Sequence, residues 1–168
     1  LILQPYWGAA FKQPEAKGAI IGFGDVHTRA HIYRSIIEGI NYALIDGAEK
    51  IQRKSQTHIK KLMVSGGGSQ SDIICQITAD MFNKPVYKGT TYEASGLGAA
   101  ICCFVGLGIY KSYQEAVQSM VHHAKVFQPD TINAEIYQKL FTRVYKKVYG
   151  RLKVLYKEIQ DITKYPEY

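Results

Sequence analysis

The sequence predicts an α/β fold, and two observations carry that prediction. Short apolar runs bounded by glycine alternate with stretches of helical period, and further helical stretches follow once the alternation stops. The order reads strand, helix, strand, helix, strand, helix, helix, helix. Alternation of this kind makes one α/β layer, with the later helices covering it.

Each element has a local reason. Residues 1–17 show no clean period, and Pro5, Gly8, Pro14 and Gly18 punctuate them, so they read as a loop pinned by Tyr6, Trp7 and Phe11. Residues 18–23 form a short apolar run between glycines, which fits a buried strand. After a turn over residues 24–27, Thr28 can cap a helix in which Ile32, Ile36, Ile40, Leu44, Ala48 and Ile51 recur every three or four residues. Arg34–Glu38 and Asp46–Lys50 are opposite charges at i,i+4 on that helix, each worth only ~0.2–0.5 kcal/mol.

Residues 59–64 read as a second strand that ends abruptly at Ser65-Gly66-Gly67-Gly68-Ser69. Ser69, Ser71 or Asp72 can cap the next helix, over Ile73, Ile74, Ile77 and Met81. Pro85-Val86-Tyr87 is a short strand, and Glu93 to Val105 a compact helix with small residues at Ala94, Gly98 and Ala99. Ser112 and Glu115 form a capping box before Ala116, Val117 and Met120. Phe127-Gln128-Pro129-Asp130 breaks the chain. The last helix places Ile136, Leu140, Val144, Val148, Leu152 and Ile159 mostly at four-residue spacing, with Tyr137, Phe141, Tyr145 and Tyr149 in a second stripe. Gly150 lies inside it and weakens it by up to about 1 kcal/mol relative to Ala.

Composition excludes several classes. With 46% apolar residues in 168, the chain has enough to bury, so it is not wholly disordered. Three cysteines, an odd number without a C-x-x-C pair, argue against a disulfide-stapled miniprotein and fit a reducing, cytoplasmic setting. Cys102 and Cys103 sit in an apolar run and are expected to be buried thiols. The 17 uncharged residues from Ala94 to Tyr110 include four glycines and fall short of the ~20 apolar residues of a membrane span. They read as a buried helix ending near Gly106-Leu107-Gly108, so no membrane partner is expected. The start, Leu1-Ile2-Leu3-Gln4-Pro5, has neither Met nor a basic n-region and reads as a cut within a longer protein.

The best local signal for a site is Gly66-Gly67-Gly68. Glycines let a ligand approach the backbone, and a helix start just beyond would offer free N–H groups to an anion. In open α/β sheets ligands sit beyond the carboxyl ends of strands, where this loop falls. Taken alone, three glycines fit a phosphate-cradling loop and a plain tight turn alike, and no G-K-[ST] follows to make a Walker A motif. His27 and His31 have the spacing of a helical metal pair, but no third ligand is evident, and a structural bridge by Arg29 with His27 or His31 satisfying backbone carbonyls is expected instead. Four of the seven net positive charges fall after residue 130. No nucleic-acid motif accompanies them, so a solvated helix face or a contact with another domain is expected rather than DNA or RNA.

Three stretches together resemble the FGGY family of carbohydrate kinases. The first runs from Pro14 to Phe23 and continues through His27-Thr28-Arg29-Ala30-His31-Ile32-Tyr33-Arg34 to Glu38-Gly39. The second is Ser65-Gly66-Gly67-Gly68-Ser69-Gln70-Ser71, with Gln76, Ala79-Asp80 and Pro85-Val86 beyond it. The third is Glu93-Ala94-Ser95-Gly96-Leu97-Gly98-Ala99-Ala100. The resemblance implies a ribonuclease-H-like, actin-like ATPase domain with extra C-terminal helices. Residues 1–168 would be one partial domain, the nucleotide-binding half of a two-domain kinase. ATP and Mg²⁺ would be the cofactors, and a sugar or polyol the acceptor, with a ketopentose such as xylulose expected from the family. Gly66, Gly67 and Gly68 would line the nucleotide side of the cleft, and Ser69, Gln70, Ser71 and Asp72 would lie beside the adenine or ribose. The helix from Glu93 would pack its small residues against the core near that loop. No catalytic residue is expected here, because the resemblance puts the general-base aspartate in the amino-terminal domain, and the chain alone is expected to be inactive. A homo-oligomer is compatible with this picture, and a non-catalytic actin-like interaction module is the alternative.

Overall fold

The structure, a computed structural model, describes residues 1–7 and 15–165. Phe11, one of the anchoring aromatics expected from the sequence, lies outside the described residues. The chain divides into two compact units, Leu1–His58 with Thr131–Tyr168, and Ile59–Asp130.

In the first unit, β1 (Ile2–Gln4) and β2 (Ala19–Ile21) pair antiparallel with Leu3 opposite Ile20. β2 is expected from the sequence, whereas β1 falls in the segment whose punctuation predicts a loop. Its partners explain the strand: Leu3 is buried, and the buried Gln4 side chain accepts a hydrogen bond from the Tyr156 hydroxyl (3.2 Å). Of the expected aromatic anchors, Tyr6 meets Tyr149 edge-on at 5.8 Å, whereas Trp7 is exposed.

The long helix α1 (Arg29–Ser55) begins at Thr28 as expected, and the Thr28 N–H donates to His31 Nδ1 (3.1 Å). His27 does the same for the Gly24 N–H (2.9 Å), so both histidines act as local acceptors. Both expected i,i+4 ion pairs form. The buried face is not the one expected. Ser35, Gly39, Asn41 and Tyr42 are buried, while Ile40, Leu44 and Ile51 are exposed, Leu44 at 56% and Ile51 at 64%. Four residues advance a helix about 40° beyond a full turn, so a strict four-residue stripe winds off any single face. Small Ser35 and Gly39 bring β1 close, and Tyr42 supplies the bulk.

The C-terminal helices show the same effect. They are α5 (Thr131–Leu140), a π turn (Phe141–Tyr145) and α6 (Lys146–Thr163). Ile136 and Ile159 are exposed, and Val148 is buried where the aliphatic stripe crosses the core side. The second, aromatic stripe fills the core. Tyr42 stacks on Phe141 at 5.9 Å and lies 4.9 Å from Tyr145, and Tyr137 is 6.4 Å away. The wider winding of the π turn absorbs the drift of four-residue spacing, so Tyr137, Phe141 and Tyr145 all stay inward.

In the second unit, β3 (Leu62–Val64) pairs parallel with β4 (Val86–Gly89), and β4 pairs antiparallel with β5 (His123–Phe127). The mixed sheet packs against α2 (Asp72–Phe82), and Cys75, Ala79, Val86 and Phe127 form the core with Leu62 and Val64 against it. The sequence reading missed β5, only one of whose five residues is buried. The helices α3 (Ala94–Gly106) and α4 (Tyr113–Met120) complete the unit. Ser112 caps α4 as expected, accepting from the Glu115 N–H at 3.2 Å, while Glu115 reaches back one residue further, to the Lys111 N–H (2.8 Å).

The expectation of a buried α3 is corrected: Ile101 is its one buried residue, and Cys102 and Cys103 are exposed. Leu97, Ala100, Ile101, Phe104 and Val105 share the inward face, and the two thiols point away from it. No helix among the described residues is long and apolar enough to cross a membrane.

Candidate functional site

β3 delivers the chain into the glycine turn at its carboxyl end. The Gly66 N–H donates to the Tyr92 carbonyl (3.0 Å), which ties the turn to the segment before α3. Gly66 has φ +81° and ψ −178°, a combination essentially restricted to glycine. A single 3₁₀ turn (Gly67–Gln70) follows, and Ser71 then caps α2, its Oγ accepting from the Ile74 N–H (3.4 Å). Ser71 is thus the cap among the three candidates seen in the sequence.

The seven predicted residues are contiguous but do not all face one way. Gly66, Gly67, Gly68 and Gln70 are exposed, and a Cβ built on any of the three glycines meets nothing within 4 Å. Ser69 turns inward: its hydroxyl donates to the Gly66 carbonyl (2.7 Å), and its own carbonyl accepts from the buried Cys75 thiol (3.4 Å). Asp72 is committed to lysines. Lys125 Nζ lies 2.7 Å from one carboxylate oxygen and Lys88 Nζ 2.9 Å from the other, and Lys88 also donates to the Gln70 carbonyl (2.9 Å). These contacts, Lys125 first and Lys88 second, hold the Asp72 carboxyl below the usual carboxylate range. Two lysines against one aspartate leave a net positive charge beside an exposed turn, which suits an anionic ligand.

Next to the turn is a pocket of about 180 Å³, with Ser65 from the end of β3, Thr90 and Thr91 after β4, Ala94 and Leu97 of α3, and His122 before β5 on its walls. The expectation that α3 packs its small residues on the core is corrected. Ala94, Gly96, Gly98 and Ala99 are exposed, with nothing within 4 Å of a Cβ on either glycine. Sequence reasoning missed the threonines and the histidine, because the loop after the central strand β4 and the residue before β5 carry no periodic signal.

Gln76 and Asp80, two positions of the second motif, hold the chain after β5. Gln76 Nε2 donates to Asp80 Oδ1 and to the Gln128 carbonyl, both at 2.8 Å, and the Asp130 N–H donates to Asp80 Oδ1 (2.8 Å). Among the described residues no group of three or more His, Cys, Asp or Glu is placed to hold a metal ion.

A mixed sheet flanked by helices, with an open glycine turn at a strand's carboxyl end, defines an α/β fold. The comparisons take this one step further. Residues 5–107 match the C-terminal domain of the FGGY family of carbohydrate kinases, and the chain belongs to that family. An uncharacterized sugar kinase of Escherichia coli, YgcE, is 33% identical over 150 residues, 89% of this chain and 30% of that protein. A xylulose kinase of Staphylococcus epidermidis is 32% identical over 149 residues, again 89% of this chain and 30% of that protein. Among solved structures, a ligand-bound xylulose kinase of Lactobacillus acidophilus superposes with a TM-score of 0.78 at 27% identity, covering 94% of this chain and 32% of that one. The chain therefore spans about 30% of the length of the curated relatives it matches. The family and the fold class expected from the sequence are both met.

Proposed function

We propose that this chain is the nucleotide-binding half of an ATP-dependent carbohydrate kinase that acts in the cytoplasm on a sugar or polyol hydroxyl. The observation that carries the reading is the glycine turn: exposed backbone at Gly66–Gly68, open space where side chains would stand, and a local positive charge from Lys88 and Lys125. These residues fit a nucleotide. The first N–H groups of a helical turn have no acceptor within it, so Gly67 and Gly68 would face the nucleotide phosphates. The neighbouring pocket would take the base or ribose. Ser69 and Ser71 act from behind, fixing the turn and the start of α2, and Gln70 and Asp72 stand at its edge.

MgATP would supply the transferable phosphoryl group. The chain's own part is positioning and electrostatic stabilisation, which dominate this reaction class. The hydroxyl proton is assigned to an aspartate of the amino-terminal domain, so no carboxylate of this chain takes it. Among acceptors we favour a ketopentose such as xylulose, supported by the likeness to the S. epidermidis xylulose kinase. A glycerol kinase of Herminiimonas arsenicoxydans, 32% identical over 138 residues, keeps polyols in the test panel.

The test has two parts. Calorimetric titration of the chain with MgATP should show one site per chain, lost in Gly67→Trp while the fold is retained. ADP release across ketopentoses, aldoses, gluconate and glycerol should require the two-domain enzyme. Absence of nucleotide binding to both proteins would leave the actin-like interaction module as the better reading.

A further inference from the structure

The first unit carries a cationic cleft that the glycine turn does not explain. Between residues 139 and 153 the C-terminal helices hold six basic side chains, and they fall into two sets. Lys139 pairs with Glu135 (2.6 Å), Lys146 with Glu49 (2.6 Å) and Lys153 with Glu15 (3.7 Å). Arg143, Lys147 and Arg151 have no ion pair or hydrogen bond to any described residue, and these three line one cavity of about 350 Å³. Its remaining walls are apolar, with Ile21 of β2 and Val144 and Leu152 among them.

The three side chains are exposed, and their arrangement is mildly unfavourable without a ligand. The three cations stand at i, i+4 and i+8, where like charges repel along a helix. The apolar walls beside them strengthen the attraction of an anion that enters and displaces water. The other three basic residues between 139 and 153 are each paired with a carboxylate, so within that stretch the unpaired set is the one that lines the cavity. Four helical residues rise about 6 Å, so the cations spread over roughly 12 Å. That matches two anionic groups held apart, not one compact ion. Arginine adds forked donors suited to phosphate.

We propose that this cleft binds a small organic bisphosphate, its phosphates on Arg143, Lys147 and Arg151 and its apolar body against Ile21, Val144 and Leu152. The site is separate from the nucleotide site proposed above and does not depend on it.

The test is calorimetry and thermal unfolding of the chain with three probes: hexane-1,6-diol bisphosphate, inorganic phosphate and uncharged hexane-1,6-diol. The bisphosphate should bind one per chain, at least about tenfold more tightly than inorganic phosphate, and the diol should not bind. Lys147→Glu and Arg151→Glu should each weaken the bisphosphate at least about tenfold, whereas Lys157→Glu, an exposed site on α6 outside the cleft, should leave it unchanged. Lys147→Met, which keeps the alkyl stem, gives the same readout if charge reversal perturbs folding. Three outcomes overturn the proposal: no binding of the bisphosphate, equal affinity for inorganic phosphate, or equal weakening by Lys157→Glu.

Discussion

Gly39 of α1 and Leu3 of β1 are in contact so close that a methyl group on Gly39 would lie 2.6 Å from Leu3 Cδ2 and 2.7 Å from the Leu3 carbonyl oxygen. The side-chain clash can relax by rotation, but the carbonyl belongs to a paired strand and has nowhere to go. Gly39→Ala should therefore destabilise the protein by about 1–3 kcal/mol, although alanine is the better helix former by roughly 1 kcal/mol. Chemical denaturation checks this, and a stabilised variant would refute the packing argument. The Glu38-Gly39 pair of the first motif thus has a packing cause.

Tyr42 is buried at the centre of the aromatic cluster, and its hydroxyl has no hydrogen-bond partner among the described residues. An unpaired buried hydroxyl costs about 1–3 kcal/mol, and replacing it by hydrogen leaves the ring stacking intact. Tyr42→Phe should be neutral or stabilising by up to about 1 kcal/mol, whereas Tyr137→Phe, which removes bonds to Arg34 and Glu38, should cost about 0.5–1.5 kcal/mol. Equal losses in both variants would contradict this division.

What could be read from the sequence was whatever is encoded locally. Thr28, Ser71 and Ser112 cap helices, Arg34–Glu38 and Asp46–Lys50 pair, and a strand ends at Gly66, because each depends on neighbours within four residues. What could not be read depends on distant chain. The inward face of α1 is chosen by Leu3 and by the rings of Phe141 and Tyr145, and the continuous apolar run of α3 gives no sign that Cys102 and Cys103 face out. β5 turns only Phe127 inward, and its pairing with β4 shifts register at Lys88/Gly89, so its side chains carry little alternation. The glycine turn was legible as a turn, but the lysines beside it were not, since Lys125 lies 53 residues from Asp72.

The buried tyrosines predict an alkaline transition. Burial raises the hydroxyls of Tyr42 and Tyr145 above their ordinary value of 10.0, and burial with help from Glu38, against Arg34, pushes Tyr137 up to about 12. These groups are more readily ionised in the unfolded chain, so the native state holds more protons above pH 10. Their contribution to stability is complete below the unfolded value and is lost as pH rises through the folded ones. Stability should fall steadily between pH 10 and about 12, with tyrosinate absorbance appearing for this set only on unfolding. Ionisation of all tyrosines before the loss of helical circular dichroism would refute the prediction.

Asp72 predicts an acid effect of opposite sign. Lys125 and Lys88 depress its carboxyl below the ordinary value of 3.8, so the ion pairs are complete above that value and are lost as pH falls through the lower folded one. Lys88→Met should bring the carboxyl titration, followed by carbon-detected NMR, back toward 3.8 and also release the Gln70 carbonyl. An unchanged titration in that variant would mean that Lys125 alone sets it.

The glycine turn separates folding from ligand access. Gly66→Ala forces a side chain into a conformation with φ +81° and should cost about 1–3 kcal/mol of stability, whatever ligand binds. Gly67 has no positive φ in the fold and open space above it, so Gly67→Ala should leave unfolding nearly unchanged. Gly67→Trp fills that space from an exposed position. It should also leave the unfolding midpoint within about 1 kcal/mol of the parent, yet raise the MgATP concentration needed for half-saturation by at least about tenfold. If Gly67→Trp binds nucleotide as the parent does, the ligand does not approach this turn, and the 180 Å³ pocket beyond Ser65 becomes the place to mutate next, starting with Thr91 and Ala94.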